Sequence, residues 1–413
     1  MTTSEADGPL YVWAWLPGRP EPVVCGRLDR DGRRIVFTYG RSYLDRPDAI
    51  PLLLPDLPLA RGPIPPRAGD LHGPIADAGP DAWGRRVIES RRIDGAAGAA
   101  PHLDELTYLR ESGSNRIGGL DFQNAPDVYL ARGDVAVALE TLVEAAAMVE
   151  SGETLPAALD VALLHGSSVG GARPKALLDD AGRGLIAKFG SATDTYPVVK
   201  SEFVAMRLAA LAGLRVAEVH LTHTLGKDVL LVERFDRPGD GTRRLMVSAL
   251  TILGLDAFPG GRYASYPDLA AEIRARFADP VPTLHELFAR IVFNVIVGNG
   301  DDHARNHAAF WDGRLLTLTP AYDLCPSPRA GREFTQAMAI GEDGWRQAQL
   351  AGCARRASPF RLSEAQAREI IDHQIAVVRD RFDAVCDEAG LAARDRAAMW
   401  ERQIMNPYAL EGY

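Results

Sequence analysis

The chain has 413 residues, more than one ordinary hydrophobic core accommodates, so its length predicts two or three domains. Its formal net charge of −9 argues against tight DNA binding by the general surface, because neutralisation of backbone phosphates dominates such affinity. No apolar run approaches the roughly 20 residues of a membrane helix, and no membrane association is expected.

The start of the chain has neither the basic nor the apolar region of a signal peptide, which favours the cytoplasm. The four cysteines lie far apart without a Cys-x-x-Cys pair: Cys25, Cys325, Cys353 and Cys386. Buried thiols are therefore expected, rather than a zinc ribbon or a disulfide framework.

Strand patterns dominate the first third of the chain. Residues 9–40 predict a β-meander, with Asp31-Gly32 at a tight hairpin turn. Residues 128–130 are strand-like and come shortly before Gly133. These patterns predict a β-rich N-terminal module over residues 1–133.

Residues 134–165 are rich in Ala, Leu and Val and predict helix. Beyond them a strand is expected over 184–189 and a helix over 200–213, followed by a hairpin built from 216–224 and 228–234.

After Pro267 the pattern is mostly helical, and Thr283-x-x-Glu286 and Ser363-x-x-Gln366 both predict capping boxes that open helices. The predicted fold class is α+β. A protein-kinase-like bilobal domain is expected over 134–413, with a small lobe to about 236, a mainly helical C-terminal lobe over 237–413, and nucleotide between them.

The most informative segment is residues 298–307, Gly-Asn-Gly-Asp-Asp-His-Ala-Arg-Asn-His. Asp301 and Asn306 are five residues apart, as are the catalytic Asp and the metal-binding Asn of kinases. Asp302 is the second candidate for the catalytic base. The alternative interpretation is a polar turn that caps the next strand, 307–311.

A second acid, Asp323, follows the expected strand 315–318 and a Pro turn. Its separation from Asp301 matches that between the catalytic loop and the second metal-binding acid of kinases. The alternative role is an N-cap or Asx turn before Cys325-Pro326. One carboxylate would then deprotonate a hydroxyl, while the amide and the other carboxylate hold Mg²⁺ against ATP.

Three further features fit a nucleotide site. The glycine-rich residues 166–175 could approach phosphates, although a flexible linker explains them equally well. Lys188 lies in an apolar strand, where its side chain would either reach the phosphates or face solvent. Glu202 would either form an ion pair with Lys188 or stabilise the positive end of the helix dipole in the first turn of its helix. Residues 233–235 occupy the place of a kinase hinge, whose backbone receives adenine.

Together these segments resemble the HipA-like serine/threonine kinase toxins of bacterial type II toxin–antitoxin systems. The matching segments are 168–175, 186–188, 232–237 (Val-Glu-Arg-Phe-Asp-Arg), 298–306 and Tyr322-Asp323. Gly118-Gly119 and the β-rich start resemble the N-terminal module of that family. The resemblance covers most of the chain, and the motifs at 232–237 and 298–306 are its most specific parts.

The resemblance implies a role for each matching residue. Asp301 would accept the proton, and Asn306 and Asp323 would bind Mg²⁺. ATP contacts are implied for Gly170, Gly171, Ala172, Arg173, Pro174, Lys175, Lys188, Glu233, Arg234, Phe235, His303, Ala304, Arg305, Asn306, Tyr322 and Asp323. Ser168 matches the serine at which family members inhibit themselves by autophosphorylation, with Ser167 as the alternative. A phosphate on that serine adds a charge of about −1.5 to −2 next to the phosphates of ATP.

The resemblance also implies partners. The usual partner is a small helix-turn-helix antitoxin (HipB-like). The chain would associate with DNA only indirectly, through this antitoxin. The best-known target class is aminoacyl-tRNA synthetase, although no residue indicates a particular protein substrate.

Three other functions remain open. The same Asp…Asn…Asp arrangement occurs in small-molecule phosphotransferases of the aminoglycoside-kinase type. A catalytically silent co-repressor that binds the antitoxin would not need Lys188, Asp301, Asn306 and Asp323 intact. A metal-dependent phosphohydrolase could instead use Asp301, Asp302, His303 and His307.

Overall fold

The computed structural model describes residues 8–91, 103–132, 137–153, 156, 159, 171–180, 182–256, 260–329 and 331–413. The chain divides into two compact units. The first unit contains residues up to 193, 223–247 and 310–314, and the second contains 194–222, 248–309 and 315–413. The expected domain boundary at residue 133 stays a prediction.

Both helices and strands are present, which confirms the α+β class. The strands are β1 (Leu10–Ala14), β2 (Val23–Asp31), β3 (Arg34–Tyr39), β4 (Pro63–Ile64), β5 (Leu120–Gln123), β6 (Lys175–Asp180), β7 (Arg183–Phe189), β8 (Val219–Thr224), β9 (Lys227–Glu233), β10 (Met246–Ser248), β11 (Ala308–Trp311) and β12 (Leu316–Leu318).

The α-helices are α1 (Arg41–Leu44), α2 (Gly73–Asp77), α3 (Ala82–Ser90), α4 (Glu105–Glu111), α5 (Leu139–Ser151), α6 (Val198–Leu211), α7 (Ala249–Ile252), α8 (Tyr266–Arg276), α9 (Pro280–Val297), α10 (Leu350–Arg355), α11 (Glu364–Glu388) and α12 (Ala393–Met399). Short 3-10 turns occur at Gly260–Tyr263, Ala304–Asn306, Ser358–Phe360 and Pro407–Leu410.

The β-meander expected at the start of the chain is confirmed. Strands β1 to β3 pair antiparallel inside a five-stranded sheet of order β4-β3-β2-β1-β5. Val12 lies at the centre of this sheet, fully buried, where it is opposite Gly26 on one side and Phe122 on the other. Residues 128–130 are irregular, so the strand expected there was wrong.

The second sheet of the first unit presents two different faces. Strand β7 lies between β6 and β9, antiparallel to both. Ala187 and Phe189 point to the buried face, where Trp83 of α3 and Leu142 of α5 complete an apolar core. Because side chains alternate along a strand, Lys188 points to the opposite face.

The second unit is mainly helical. The long helix α11 packs against α6 and α9, and α9 also packs against α8. By length and composition α9 could cross a membrane, but 67% of its apolar window is buried inside the protein, which is typical of a core helix.

One of the two expected capping boxes is correct. Ser363 caps α11: its hydroxyl accepts from the N–H of Gln366, and the N–H of Ser363 donates to Oε1 of Gln366. The box at Thr283 was wrong, because α9 already begins at Pro280, a residue favoured in the first turn. Thr283 instead donates its hydroxyl to the carbonyl of Asp279, 2.6 Å away.

Candidate active site

The acidic loop predicted at residues 298–306 begins where α9 ends. Gly298 closes the helix with φ +69°, in the left-handed region that favours glycine. A Cβ atom at Gly298 would lie 2.5 Å from the carbonyl oxygen of Gln403, so no larger residue fits there. The backbone N–H of Gly300 then donates to the hydroxyl of Ser327, 3.1 Å away. Both ends of this turn are therefore fixed before the chain reaches Asp301.

Asp302 is a buried anchor of this loop. Its Oδ2 atom accepts hydrogen bonds from Asn294 Nδ2 at 2.7 Å, from His307 Nε2 at 2.9 Å and from the hydroxyl of Tyr266. Burial acts to raise the pKa of Asp302, but His307 and the hydrogen bonds outweigh it, and the net shift is downward. Asp302 is therefore held as a carboxylate in the interior.

Asp301 has the opposite environment, because the residue is exposed. Its pKa is nevertheless raised, first by partial desolvation of the carboxyl group and then by the negative charges of Asp323 and Asp302, while His303 opposes the shift. The carboxylate of Asp323 therefore lies near enough to Asp301 to influence its pKa. Asp301 and Asp323 are 22 positions apart in the sequence, and the fold brings their carboxylates near each other.

Asn306 and Asp323 are connected through their neighbours. Asn306 is buried, and its Nδ2 donates to the carbonyl oxygen of Asp301 at 3.3 Å. The hydroxyl of Tyr322 donates to the carbonyl oxygen of Arg305 at 2.6 Å, which ties the segment before Asp323 to the turn that carries Asn306. Asp323 adopts φ +59°, a left-handed conformation that is uncommon outside glycine and often marks functional sites.

The donor set of these residues suits Mg²⁺ only when a phosphate ligand completes it. No group of three or more His, Cys, Asp or Glu side chains in the described part of the chain could hold a metal. Mg²⁺ is usually held by one or two protein oxygen ligands together with substrate phosphates and water. One amide oxygen, from Asn306, and one carboxylate, from Asp323, fit that pattern.

The glycine-rich loop is described from Gly171 onward, and it is anchored to the start of α3. Gly171 N–H donates to Asp81 Oδ2 at 3.0 Å, and Trp83 N–H donates to the carbonyl of Gly171 at 3.1 Å. Gly170, Ser168 and Ser167 lie outside the described residues. Ala172 and Arg173 are exposed, and Pro174 is buried.

Two lysines are neighbours on the face of the second sheet opposite its apolar core. Lys175 of β6 is directly opposite Lys188 of β7 in the antiparallel register. Lys175 is buried, and its Nζ lies 2.2 Å from where a Cβ at Gly171 would be. Two cationic side chains on the same face of the sheet are groups that could contact the phosphates of a nucleotide.

The expected partner of Lys188, Glu202, is buried in the first turns of α6 in the second unit. The ion pair between them stays a prediction.

The expected hinge residues have distinct environments. Glu233 forms a non-hydrogen-bonded pair with Leu185, because the neighbouring residue Arg234 donates its N–H to Gly184 at 2.9 Å. The carbonyl of Glu233 consequently points away from β7. Phe235 contacts Phe310 edge-to-face, with ring centroids 5.9 Å apart.

Arg234 has a structural role that the sequence did not indicate. Its guanidinium is buried and donates to Asp236 at 2.7 Å, to Asn115 Oδ1 at 2.7 Å and to the carbonyl of Arg116 at 2.6 Å. Arg237 joins the same cluster, and the N–H of Gly118 also donates to Asp236, at 2.7 Å. The assignment of Arg234 to ATP binding stays a prediction.

Sequence reasoning missed the residues that hold these motifs in place. Asn294 could have been noticed as an amide inside the apolar run of α9. Tyr266 carries no local signal, because it reaches Asp302 from a different helix.

Family comparison agrees with this geometry. The family described as the HipA-like C-terminal domain matches residues 167–382, more than half of the chain. The chain belongs to the HipA-like family. The HipA N-terminal domain family matches residues 20–123 of the same chain. The predicted resemblance to HipA-like kinase toxins is thereby confirmed.

Two curated relatives carry kinase names. "Putative kinase Y4mE" of Sinorhizobium fredii is 26% identical over 365 residues, which are 80% of this chain and 83% of that protein. "Serine/threonine-protein kinase toxin HipA" of Shewanella oneidensis is 30% identical over 206 residues, which are 43% of this chain and 46% of that protein.

The fold is shared with a solved HipA structure. HipA in the Shewanella oneidensis complex of HipA, HipB and operator DNA matches with a TM-score of 0.66 and 20% identity, over 96% of this chain and 99% of that one. This match confirms the kinase-like α+β fold of the HipA family.

Proposed function

We propose that this HipA-like chain is an ATP- and Mg²⁺-dependent protein serine/threonine kinase and the toxin of a toxin–antitoxin pair. The observation that carries the proposal is the grouping of an exposed Asp301 with Asp323 and Asn306. The kinase names of two curated relatives support it.

In the proposed reaction Asp301 accepts the proton of the protein hydroxyl whose oxygen attacks the γ-phosphorus of ATP, and ADP leaves with the bridging oxygen. A general base works best when its pKa approaches the operating pH, and desolvation raises the pKa of Asp301 in that direction. Asp302 is unsuited to this role, because three protein donors already occupy its Oδ2 atom.

The cofactor proposal assigns Mg²⁺ to Asn306 and Asp323, and the phosphates to Lys175 and Lys188. When bound, the metal would neutralise charge on the transferring phosphoryl group. The carbonyl of Glu233 and the backbone of Phe235 would receive adenine. Phosphorylation at Ser168, or at Ser167, would weaken ATP binding by charge repulsion.

Incubation of the purified full chain with γ-labelled ATP and Mg²⁺ tests the function. The wild type should become labelled at Ser168 or Ser167, as located by mass spectrometry. Asp301→Asn preserves the shape of the side chain but not its basicity, so the labelling rate should fall by about 10²–10⁴-fold.

Glu342→Gln is the matched control, because it removes an exposed carboxylate elsewhere in the second unit. This variant should label at the wild-type rate, and both variants should retain the melting temperature of the wild type. Labelling of Asp301→Asn at the wild-type rate would rule out the assignment. Transfer of phosphate to small molecules without protein labelling would favour an activity of the aminoglycoside-kinase type. The absence of any phosphate transfer would favour a catalytically silent co-repressor.

Asp323 is expected to act through the metal. Asp323→Ala should weaken ATP binding in the presence of Mg²⁺ by at least about tenfold, while binding in EDTA changes little. Calorimetric titration of ATP into wild type and variant, with and without metal, measures this difference. Equal losses of affinity under the two conditions would contradict a role in metal binding.

A further inference from the structure

Arg329 lies six residues past Asp323, in an irregular segment of the second unit. Its guanidinium stacks on the ring of Phe334, 4.1 Å from the ring centroid. The Nε, Nη1 and Nη2 atoms are all buried, and none has a hydrogen-bond partner among the residues that the structure describes.

This arrangement is unusual, because the residue is only half-buried but its three charged nitrogens are shielded from solvent. Buried polar groups are almost always hydrogen-bonded, and buried charges are normally paired. Arg290 in the same unit is better satisfied, because it donates to Glu286 at 2.9 Å and to the carbonyl of Thr319 at 2.8 Å, and only its Nη1 lacks a partner among the described residues. Burial lowers the pKa of Arg329 to about 10, so the side chain remains cationic at neutral pH.

The position of Arg329 links it to the candidate catalytic loop. A Cβ atom at Gly300 would lie 2.3 Å from Cζ of Phe334, so the ring that carries the guanidinium rests against the residue before Asp301. Ala337 fixes the same segment, since its N–H donates to the carbonyl of Gly300 at 3.0 Å.

A second polar group in this segment also lacks a partner. Gln336 is buried, and neither Nε2 nor Oε1 of its side chain forms a hydrogen bond within the described ranges. Gln336 lies between Thr335 and Ala337, both of which approach Gly300. Two unsatisfied donors, one cationic and one neutral, therefore flank the contact with the catalytic loop.

We propose that Arg329 is the binding group for an oxyanion, a carboxylate or a phosphoryl group, carried by the protein acceptor near its reactive hydroxyl. The planar guanidinium presents parallel N–H groups that match either oxyanion with two hydrogen bonds. Because its nitrogens are buried, the guanidinium has to turn away from Phe334 to bind such a ligand. The role in acceptor choice rests on the proposed kinase function, whereas anion binding at Arg329 does not.

Anion binding is tested first, without any catalytic readout. Melting temperature is measured while inorganic phosphate replaces chloride at constant ionic strength. Wild type should show a saturable increase, and Arg329→Met should show a clearly smaller one, because only phosphate bound at Lys175 and Lys188 would remain. Arg332→Gln is the matched control, because Arg332 is an exposed arginine in the same segment that pairs with Glu411, and it should respond like the wild type.

Should Arg329→Met fail to fold, Arg329→Lys decides the question. It keeps the charge but loses the fork, and the saturable increase should be clearly weakened. A phosphate response unchanged in the folded Met variant, or in the Lys variant, would overturn the site.

Acceptor choice is tested with three peptides that differ at one position beside the serine: Glu, phosphoserine or Gln. In the wild type, KM should be at least tenfold lower for one acidic peptide than for the Gln peptide, and the better of the two identifies the source of the oxyanion. Arg329→Lys or Arg329→Met should reduce this ratio to near one, and Arg332→Gln should keep it. An unchanged ratio in the Arg329 variants would refute the role in acceptor choice. Failure to phosphorylate any peptide, together with an intact phosphate response, would count against the kinase function alone.

Discussion

Asp301 and Asp302 are adjacent in the chain but belong to different environments. Asp301 is exposed, and the negative charge of Asp323 contributes to its raised pKa, whereas Asp302 is buried among three hydrogen-bond donors. Spacing alone ranked Asp301 first but left Asp302 as a second candidate. Burial separates the two, because a carboxylate that accepts three protein hydrogen bonds has little capacity left for a substrate proton.

Asp302 should therefore contribute strongly to the stability of the folded state. Asp302→Asn would replace a buried carboxylate acceptor by a neutral amide, and we expect a loss of about 3 kcal/mol in the free energy of unfolding at pH 7. Tyr266→Phe removes only one of the three donors and should cost about 1.5 kcal/mol. Urea denaturation of the three proteins measures both values.

The same comparison has a defined pH dependence. The pKa of Asp302 is lowered in the folded state, so its contribution is fully present above the ordinary aspartate pKa near 4 and is lost as the pH falls through the lower folded value. The difference between wild type and Asp302→Asn should thus shrink below about pH 4. A difference that stays constant down to pH 3 would show that the carboxylate charge is not involved.

At the residue scale, local spacing supplies some signals and lacks others. Asp301, Asn306 and Asp323 are predicted as site residues because their spacing matches that of kinase residues, and their roles stay predictions. The donors of Asp302 could not be found in this way, since Tyr266 and Asn294 lie on two helices whose mutual packing no local pattern specifies.

At the scale of elements, the junction between α9 and the acidic loop depends on one glycine. Gly298 combines a left-handed φ with close contact to the backbone of Gln403. Residues that carry a side chain rarely adopt such a φ. The backbone atoms of Gln403 cannot move aside as a flexible side chain would.

Gly298→Ala should consequently destabilise the second unit by about 2–4 kcal/mol, from the backbone strain and the contact with Gln403 together. Gly344→Ala is the matched control, because Gly344 has φ +78° but nothing within 4 Å of an added Cβ. The control should lose only the strain term of about 1–2 kcal/mol. Equal melting temperatures for the two variants would contradict the importance of the contact.

Elements were predictable to the extent that their signals are local. Ser363 and Gln366 form the expected capping box because nothing upstream competes for that helix start. The similar pattern at Thr283 was misleading, since Asp279-Pro280 starts the helix one turn earlier. Residues 128–130 have strand-forming side chains, yet they pair with no strand that the structure describes.

For the whole molecule, the charge of −9 has a consequence for DNA. The predicted HipB-like antitoxin, rather than this acidic chain, would then supply the basic surface that binds DNA. The purified chain alone should give no shift of DNA from upstream of its own gene at about 150 mM salt.

Addition of the candidate antitoxin should produce a shift that contains both proteins. Gel retardation with the chain, the antitoxin and their mixture measures this, and the antitoxin alone is the control for its intrinsic affinity. Sequence-specific retardation by the chain alone would contradict the proposed division of roles.

The cluster of Arg234, Asp236 and Arg237 with Asn115 and Gly118 bears on how the protein can be dissected. A fragment that starts after residue 133 would keep the charged motif but lose the amide and carbonyl groups that satisfy it. Such a fragment would place two guanidinium groups and a carboxylate at a newly opened surface right next to the expected adenine-binding backbone. An isolated C-terminal fragment without activity would then reflect the loss of these hydrogen bonds rather than the absence of a catalytic site. Enzyme assays therefore require the full-length chain.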